Sequence, residues 1–128
     1  MKADYSATPL PRKLGIGDDS RVALVDAPEG FADRLGIEPR RRGALDVIVL
    51  FATRKGELTR SFAALARRLT PAGGLWVAWP KKSSGVDTDL SFRVVQDVGL
   101  RAGLVDNKSC SIDETWSAAR FVVRLEDR

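Results

Sequence analysis

At 128 residues, with 44% hydrophobic and 30% charged positions, the chain has room for one domain with its own core and lacks the low hydrophobicity of disordered chains. It has no histidine and a single cysteine, Cys110, which excludes the usual serine and cysteine triads, the commonest zinc sites and any internal disulfide. A net charge of +4 favours anionic partners, nucleic acid being one candidate.

Residues 1–20 read as an N-terminal arm, with Pro9, Pro11, Gly15 and Gly17 among polar residues and room for a helical turn at 10–14; residues 21–128 form the domain. The short apolar run RVALVD at 21–26 is the first strand. Pro28 and Glu29 open a helix to Leu35, which Gly36 terminates, and a loop at 38–43 carries Arg40, Arg41 and Arg42. That arginine run reads as a solvated loop or a phosphate-contacting patch. The second strand, 46–52 (DVIVLFA), is apolar on both faces, the pattern of a central parallel strand. It contains the longest apolar run of the chain, 47–52, far short of the roughly 20 residues of a membrane span. The first twenty residues lack a signal-peptide core, so a cytoplasmic protein with no membrane association is expected.

A helix at 57–69 puts Leu58, Phe62, Leu65, Ala66 and Leu69 on one stripe, and Pro71, Gly73 and Gly74 break the chain before a third strand at 75–79. Trp76 and Trp79 of that strand read as core. A helix marked by Leu90, Val94 and Val98 ends near Gly103, with Asp87 or Thr88 as its cap. Two terminal strands follow, an edge strand at 104–110 and an alternating one through Ala119, Phe121, Val123 and Leu125. Asp113 and Glu114 mark the turn between them, Trp116 follows it partly exposed, and Cys110 is structural.

Strand, helix, strand, helix with LARRLTPAGGLWVAW, helix and a terminal antiparallel pair resembles the second half of class I methyltransferases that use S-adenosylmethionine. LGIGDDSRVALVDAPEG is similar to their first strand and glycine-rich turn. The resemblance implies an α/β fold: a single Rossmann-like sheet in two or three layers, about five strands, mostly parallel with a C-terminal antiparallel pair. It does not carry the cofactor over. VDAPEG keeps only Gly30 where backbone must approach the cofactor closely, and no strand bearing an acid for the cofactor ribose lies between Asp26 and Asp46. No cofactor and no metal are expected. A closer similarity spans nearly the whole chain: ATPLPRKLGI, VDAPEGF, WPKKSSGVDTDL and GLVDNKSCSIDETWSAARFVVR resemble small bacterial proteins of the DUF3052 family, a domain of unknown function.

Ligands of open α/β sheets bind outside the carboxyl ends of the strands, so residues 26–30, 53–56 and 80–84 are expected to converge. The candidate ligand-binding residues are Asp26, Glu29, Gly30, Thr53, Lys81, Lys82, Ser83, Ser84 and Thr88, with Arg54 and Lys55 adding charge to the rim. Two lysines and two serines before a helix start suit an anion or phosphate. Each has a structural alternative: Asp26 to Glu29 has capping-box spacing, Thr53 is a cap, and Lys81 to Ser84 is a solvated turn. No catalytic residue is singled out. The expected function is non-catalytic binding of an anionic small molecule or protein partner. A methyltransferase completed by a partner chain and a nucleic-acid-binding protein are the alternatives.

Right-handed crossovers between three strands lying in chain order put every connecting helix on one face of the sheet. The other face, apolar in VALV, VIVLF and LWVAW, then needs cover from the arm, through Tyr5, Leu10, Leu14 and Ile16, together with a second subunit of a homodimer.

Overall fold

Along β2 (Leu45–Phe51), Val47, Val49 and Phe51 alternate with Ile48 and Leu50, and all five are buried, so this strand is covered on both faces. The computed structural model, which describes residues 8–128, shows how. β1 (Val22–Val25), β2 and β3 (Leu69–Pro80) run parallel, and β4 (Leu104–Ser111) and β5 (Trp116–Val123) add an antiparallel pair, in the order β1-β2-β3-β5-β4. β4 is the edge strand that its apolar-then-polar sequence called for.

Helices lie on both faces, making three layers. On one face α3 (Lys55–Ala66) and α4 (Phe92–Arg101) bring Leu58, Phe62, Val95 and Val98 against Ile48, Leu50, Val77 and Phe121. On the other, α1 (Leu10–Lys13) and α2 (Phe31–Leu35) bring Leu14, Phe31 and Leu35 against Val22, Val49, Phe51 and Trp76. Leu14 is fully buried, and its carbonyl accepts the indole N–H of Trp76 at 2.9 Å.

The expectation of a bare face is thereby corrected. The first three strands do lie in chain order, but α2 and α3 sit on opposite faces, so the two crossovers have opposite hand and one departs from the right-handed rule. After α2 the chain runs along the outer edge of β1, where Arg40 N–H donates to Val22 O at 2.7 Å, before entering β2. The arm and α2 together cover the second face, so the premise that called for a second subunit falls. Tyr5, expected among the arm's contacts, lies outside the described residues.

Three local expectations also change. α3 ends at Ala66, and β3 starts at Leu69 rather than 75, taking in Pro71, Gly73 and Gly74. The glycines do not break the strand; they permit an irregularity where the β2–β3 register shifts between Leu45 and Val47. A Cβ at Gly73 would stand 3.0 Å from the Leu45 and Asp46 carbonyl oxygens. α4 starts at Phe92 and is capped by Ser91, whose hydroxyl accepts from Val94 N–H, so neither Asp87 nor Thr88 is its cap. Trp76 and Trp79 are core residues, 1% and 7% exposed.

Asp46 ties the entries of three strands together. Its carboxylate accepts from the Arg21 backbone and guanidinium at 2.8 to 3.2 Å and from the Thr70 hydroxyl at 3.2 Å. The Arg21 side chain and then its backbone N–H hold this carboxyl below the usual carboxylate value. A depressed folded-state value stabilises the protein above the unfolded value of about 3.9 and is lost as pH falls through the lowered one. Asp46→Asn is therefore expected to lower the melting temperature at pH 7, with the gap to the parent closing below about pH 4 in a calorimetric pH series.

Gly99 sets the approach of α4 to the sheet, since a Cβ there would lie 2.3 Å from the fully buried Phe121 ring. Alanine gains about 1 kcal/mol of helix propensity over glycine, while forcing a methyl into a filled core costs about 1–3 kcal/mol. With the methyl carbon 2.3 Å from the ring, far inside van der Waals contact, the second effect wins. Gly99→Ala should lower the stability read by urea unfolding, by up to about 2 kcal/mol net of the propensity gain.

Candidate functional site

β1 ends at Val25, and the next residue, Asp26, turns the chain with φ of 56°, the one non-glycine residue at positive φ among those described. Aspartate tolerates this region better than most residues, yet such turns gather at functional sites. Beside it stands a row of aromatic rings: Phe31 of α2 meets Phe51 of β2 edge-on at 4.9 Å, and Phe51 meets Trp116 of β5 edge-on at 4.9 Å. Asp26, Phe51, Ala52, Thr53, Glu57 and Trp116 line a cleft of about 230 Å³ at the carboxyl ends of β1 and β2.

The wall carrying Trp116 is fixed through Asp113. Its carboxylate accepts from the Thr115 and Trp116 backbone N–H groups at 2.9 Å each and from Arg34 of α2 at 3.0 Å. Burial pushes this carboxyl upward, but the two backbone bonds and Arg34 outweigh it and hold it below its ordinary value. The acidic turn of the sequence is thus a clasp between α2 and the β4–β5 hairpin.

Of the residues expected to converge, Asp26 and Thr53 share the cleft, joined by Glu57, Phe51 and Trp116, which sequence reasoning did not place there. Trp116 is half-buried. Asp26 and Glu29 form no capping box; the N-cap of α2 is Gly30, at φ of 83°, with no side-chain cap bond. Thr53 is not a cap either, since Arg54 holds the N-cap position of α3 and the Asp89 carboxylate accepts from Lys55 N–H at 2.8 Å. Thr88 donates its hydroxyl to Thr53 O at 2.6 Å, and Asp87 pairs with Arg54, so residues 87–89 strap the turn after β2 and engage its charge.

Lys81, Lys82, Ser83 and Ser84 do not line the cleft. Lys81 donates its backbone N–H to Thr115 O at 2.7 Å and its ammonium to the Ser111 hydroxyl at 2.5 Å. Ser84 donates to Lys81 O at 2.6 Å and accepts from Val86 N–H, while Lys82 and Ser83 are exposed in the same 3-10 turn, Lys82–Ser84. The rim closes on itself and on the hairpin. Cys110 is half-buried, and burial pushes its thiol up, with Lys13 opposing in part, which fits a structural cysteine. Among the described residues, no group of three or more histidine, cysteine or carboxylate side chains is arranged to hold a metal.

S-adenosylmethionine, the cofactor the methyltransferase fold implies, does not fit these residues. The turn after β1 offers Gly30 as its one glycine, and residues 36–44 pass from α2 to β2 without an intervening strand that could present an acid to a ribose. The cleft is smaller than the roughly 300–1,000 Å³ of sites for drug-sized ligands.

The fold is shared with solved methyltransferases. Magnesium protoporphyrin IX methyltransferase (ChlM) from Synechocystis PCC 6803 matches at a TM-score of 0.57 and 9% identity, over 90% of this chain and 64% of that one. The O-methyltransferase NcsB1 from neocarzinostatin biosynthesis matches at 0.57 and 14%, over 82% and 42%. Ribosomal protein L11 methylase from Lactobacillus delbrueckii subsp. bulgaricus matches at 0.52 and 13%, over 84% and 60%. The chain thus spans between 42% and 64% of their lengths. No curated protein matches. The profile of a family described as a protein of unknown function, DUF3052, matches residues 11–125, and with its methyltransferase-like α/β sheet the chain belongs to that family.

Proposed function

We propose that the chain is a non-catalytic binding protein that uses the strand-end cleft of a methyltransferase-like sheet to hold a small cationic ligand in place of S-adenosylmethionine. The observation that carries this reading is Asp26, held in left-handed backbone at the end of β1 and spent on no helix cap. Asp26 and Glu57, both exposed, line the cleft together with Trp116, residue types that suit an ammonium or guanidinium group by ion pairing and cation–π attraction. The cleft therefore suits a cation better than the anion that the lysine rim led one to expect. The absence of histidine and the raised Cys110 thiol support binding without catalysis.

A cytoplasmic setting belongs to the same proposal: a single thiol suits a reducing compartment, and among the described residues no helix is long and apolar enough to cross a membrane. The alternative, a methyltransferase completed by a partner chain, draws on the outer edge of β1, which residues 36–44 hold through the backbone bond from Arg40 N–H to Val22 O. A partner strand would extend the sheet there only by displacing that segment.

A thermal-shift panel of small ammonium and guanidinium compounds tests the reading. At least one compound is expected to raise the melting temperature saturably, as selective binding to the folded state requires. Asp26→Gly is expected to match the parent or gain up to about 1 kcal/mol without ligand, because the left-handed conformation suits glycine and the unfolded-state entropy cost is of similar size. The same variant should lose the ligand-induced shift. Equal stabilisation of parent and variant by the same compound would place the site elsewhere.

A further inference from the structure

Across β3, β5 and β4, Trp76, Arg120 and Lys108 stand directly opposite one another in register, and Trp76 belongs to the face covered by α1. Two cations thus sit side by side on neighbouring strands, an arrangement that destabilises a sheet by itself. α1 adds Arg12 and Lys13, and a hollow of about 400 Å³ is lined by Thr8, Arg12, Lys13, Trp76, Lys108 and Ser109. Among the described residues, that lining contains no acidic side chain. Among the described residues, Arg12, Lys108 and Arg120 take part in none of the ion pairs, which join Arg21 to Asp46, Arg34 to Asp113, Arg54 to Asp87 and Arg101 to Asp97. The carboxylate of Asp106, on β4 beside them, accepts instead from Gln96 of α4 on the opposite face.

Arg120 is half-buried against Gly74, where a Cβ would stand 2.2 Å from the guanidinium Nε. Glycine at this point is what lets the guanidinium lie along the β3 backbone. Burial, and then the nearby Arg128, hold this guanidinium below its ordinary value.

We propose that this hollow is a binding site for a small phosphate-bearing anion, held by Lys108 from the sheet and by Arg12 from α1, with Lys13, whose ammonium also donates to Ser111 O at 3.4 Å, and Arg120, beside Lys108 in the sheet, adding to the positive charge. The charge argues for phosphate over carboxylate: a phosphate monoester carries about −1.5 to −2 near neutral pH and presents three acceptor oxygens to several donors at once. The volume argues for a small molecule, since about 400 Å³ lies within the roughly 300–1,000 Å³ of such sites. A polynucleotide needs an extended stripe rather than a hollow closed by a helix.

The test is calorimetric titration of the full chain with inorganic phosphate and with pyrophosphate at constant ionic strength, and with a mixed-sequence single-stranded oligonucleotide. Saturable binding of phosphate or pyrophosphate is expected. Lys108→Gln, an exposed position chosen to leave the fold intact, should weaken it about tenfold, the worth of one charge-assisted contact. Lys82→Gln, in the turn after β3, should leave it unchanged. Three results would overturn the site: no saturable binding by either anion, equal affinity in parent and Lys108→Gln, or tight oligonucleotide binding where phosphate and pyrophosphate show none.

Discussion

The connection from α2 to β2 decides this structure. Residues 36–44 lie along the outer edge of β1, pinned by the bond from Arg40 N–H to Val22 O, and then enter β2 with no strand between. β1 is thereby set directly against β2, and α2 is left on the face opposite α3 and α4. A helix spanning only Phe31–Leu35 cannot cover that face, so α1 completes it by burying Leu14 over Trp76 and accepting the indole N–H on its backbone. The same placement brings Phe31 against Phe51 and, through it, Trp116, which builds the aromatic side of the strand-end cleft.

The net charge of +4 conceals a segregation. Asp26 and Glu57 line the cleft at the strand ends, while Arg12, Lys13 and Lys108 line the hollow on the α1 face, with Arg120 beside Lys108 in the sheet. Other charges near the strand ends are engaged locally, Arg54 with Asp87, Arg34 with Asp113 and Lys81 with Ser111. Opposite local charges underlie the opposite ligand preferences proposed for the two hollows, a distinction that the sum over the chain hides.

VALV, DVIVLF and LWVAW announced buried strands because two-sided apolar runs have few other homes in a soluble domain, and the alternation after the Asp113 turn announced the terminal pair. LTPAGG misled because proline and two glycines are the usual marks of a break; here they serve an irregular stretch of strand, required by the approach of Gly73 to the Leu45 and Asp46 carbonyls. The cap of α4 was placed too early because Asp87 and Thr88 are as good caps as Ser91, and tertiary bonds to Arg54 and Thr53 O claim them. Asp26 and Thr53 were legible from the strand-end rule alone. Glu57 and Trp116 were not, since their nearness depends on the hairpin being clasped to α2, and the Lys81 to Ser84 rim was misplaced because Lys81 pairs with Thr115. The basic row on the sheet needed the register of β5 against β4, where an irregularity between Asp106 and Lys108 sets which residue faces Arg120.

Calorimetric titration of the isolated chain with S-adenosylmethionine bears most directly on whether the short connection has removed the cofactor site that the methyltransferase fold otherwise provides. With one glycine in the turn after β1 and no strand between α2 and β2, no saturable heat is expected up to millimolar cofactor. A micromolar dissociation constant would contradict this and make the chain a methyltransferase-type cofactor binder in its own right.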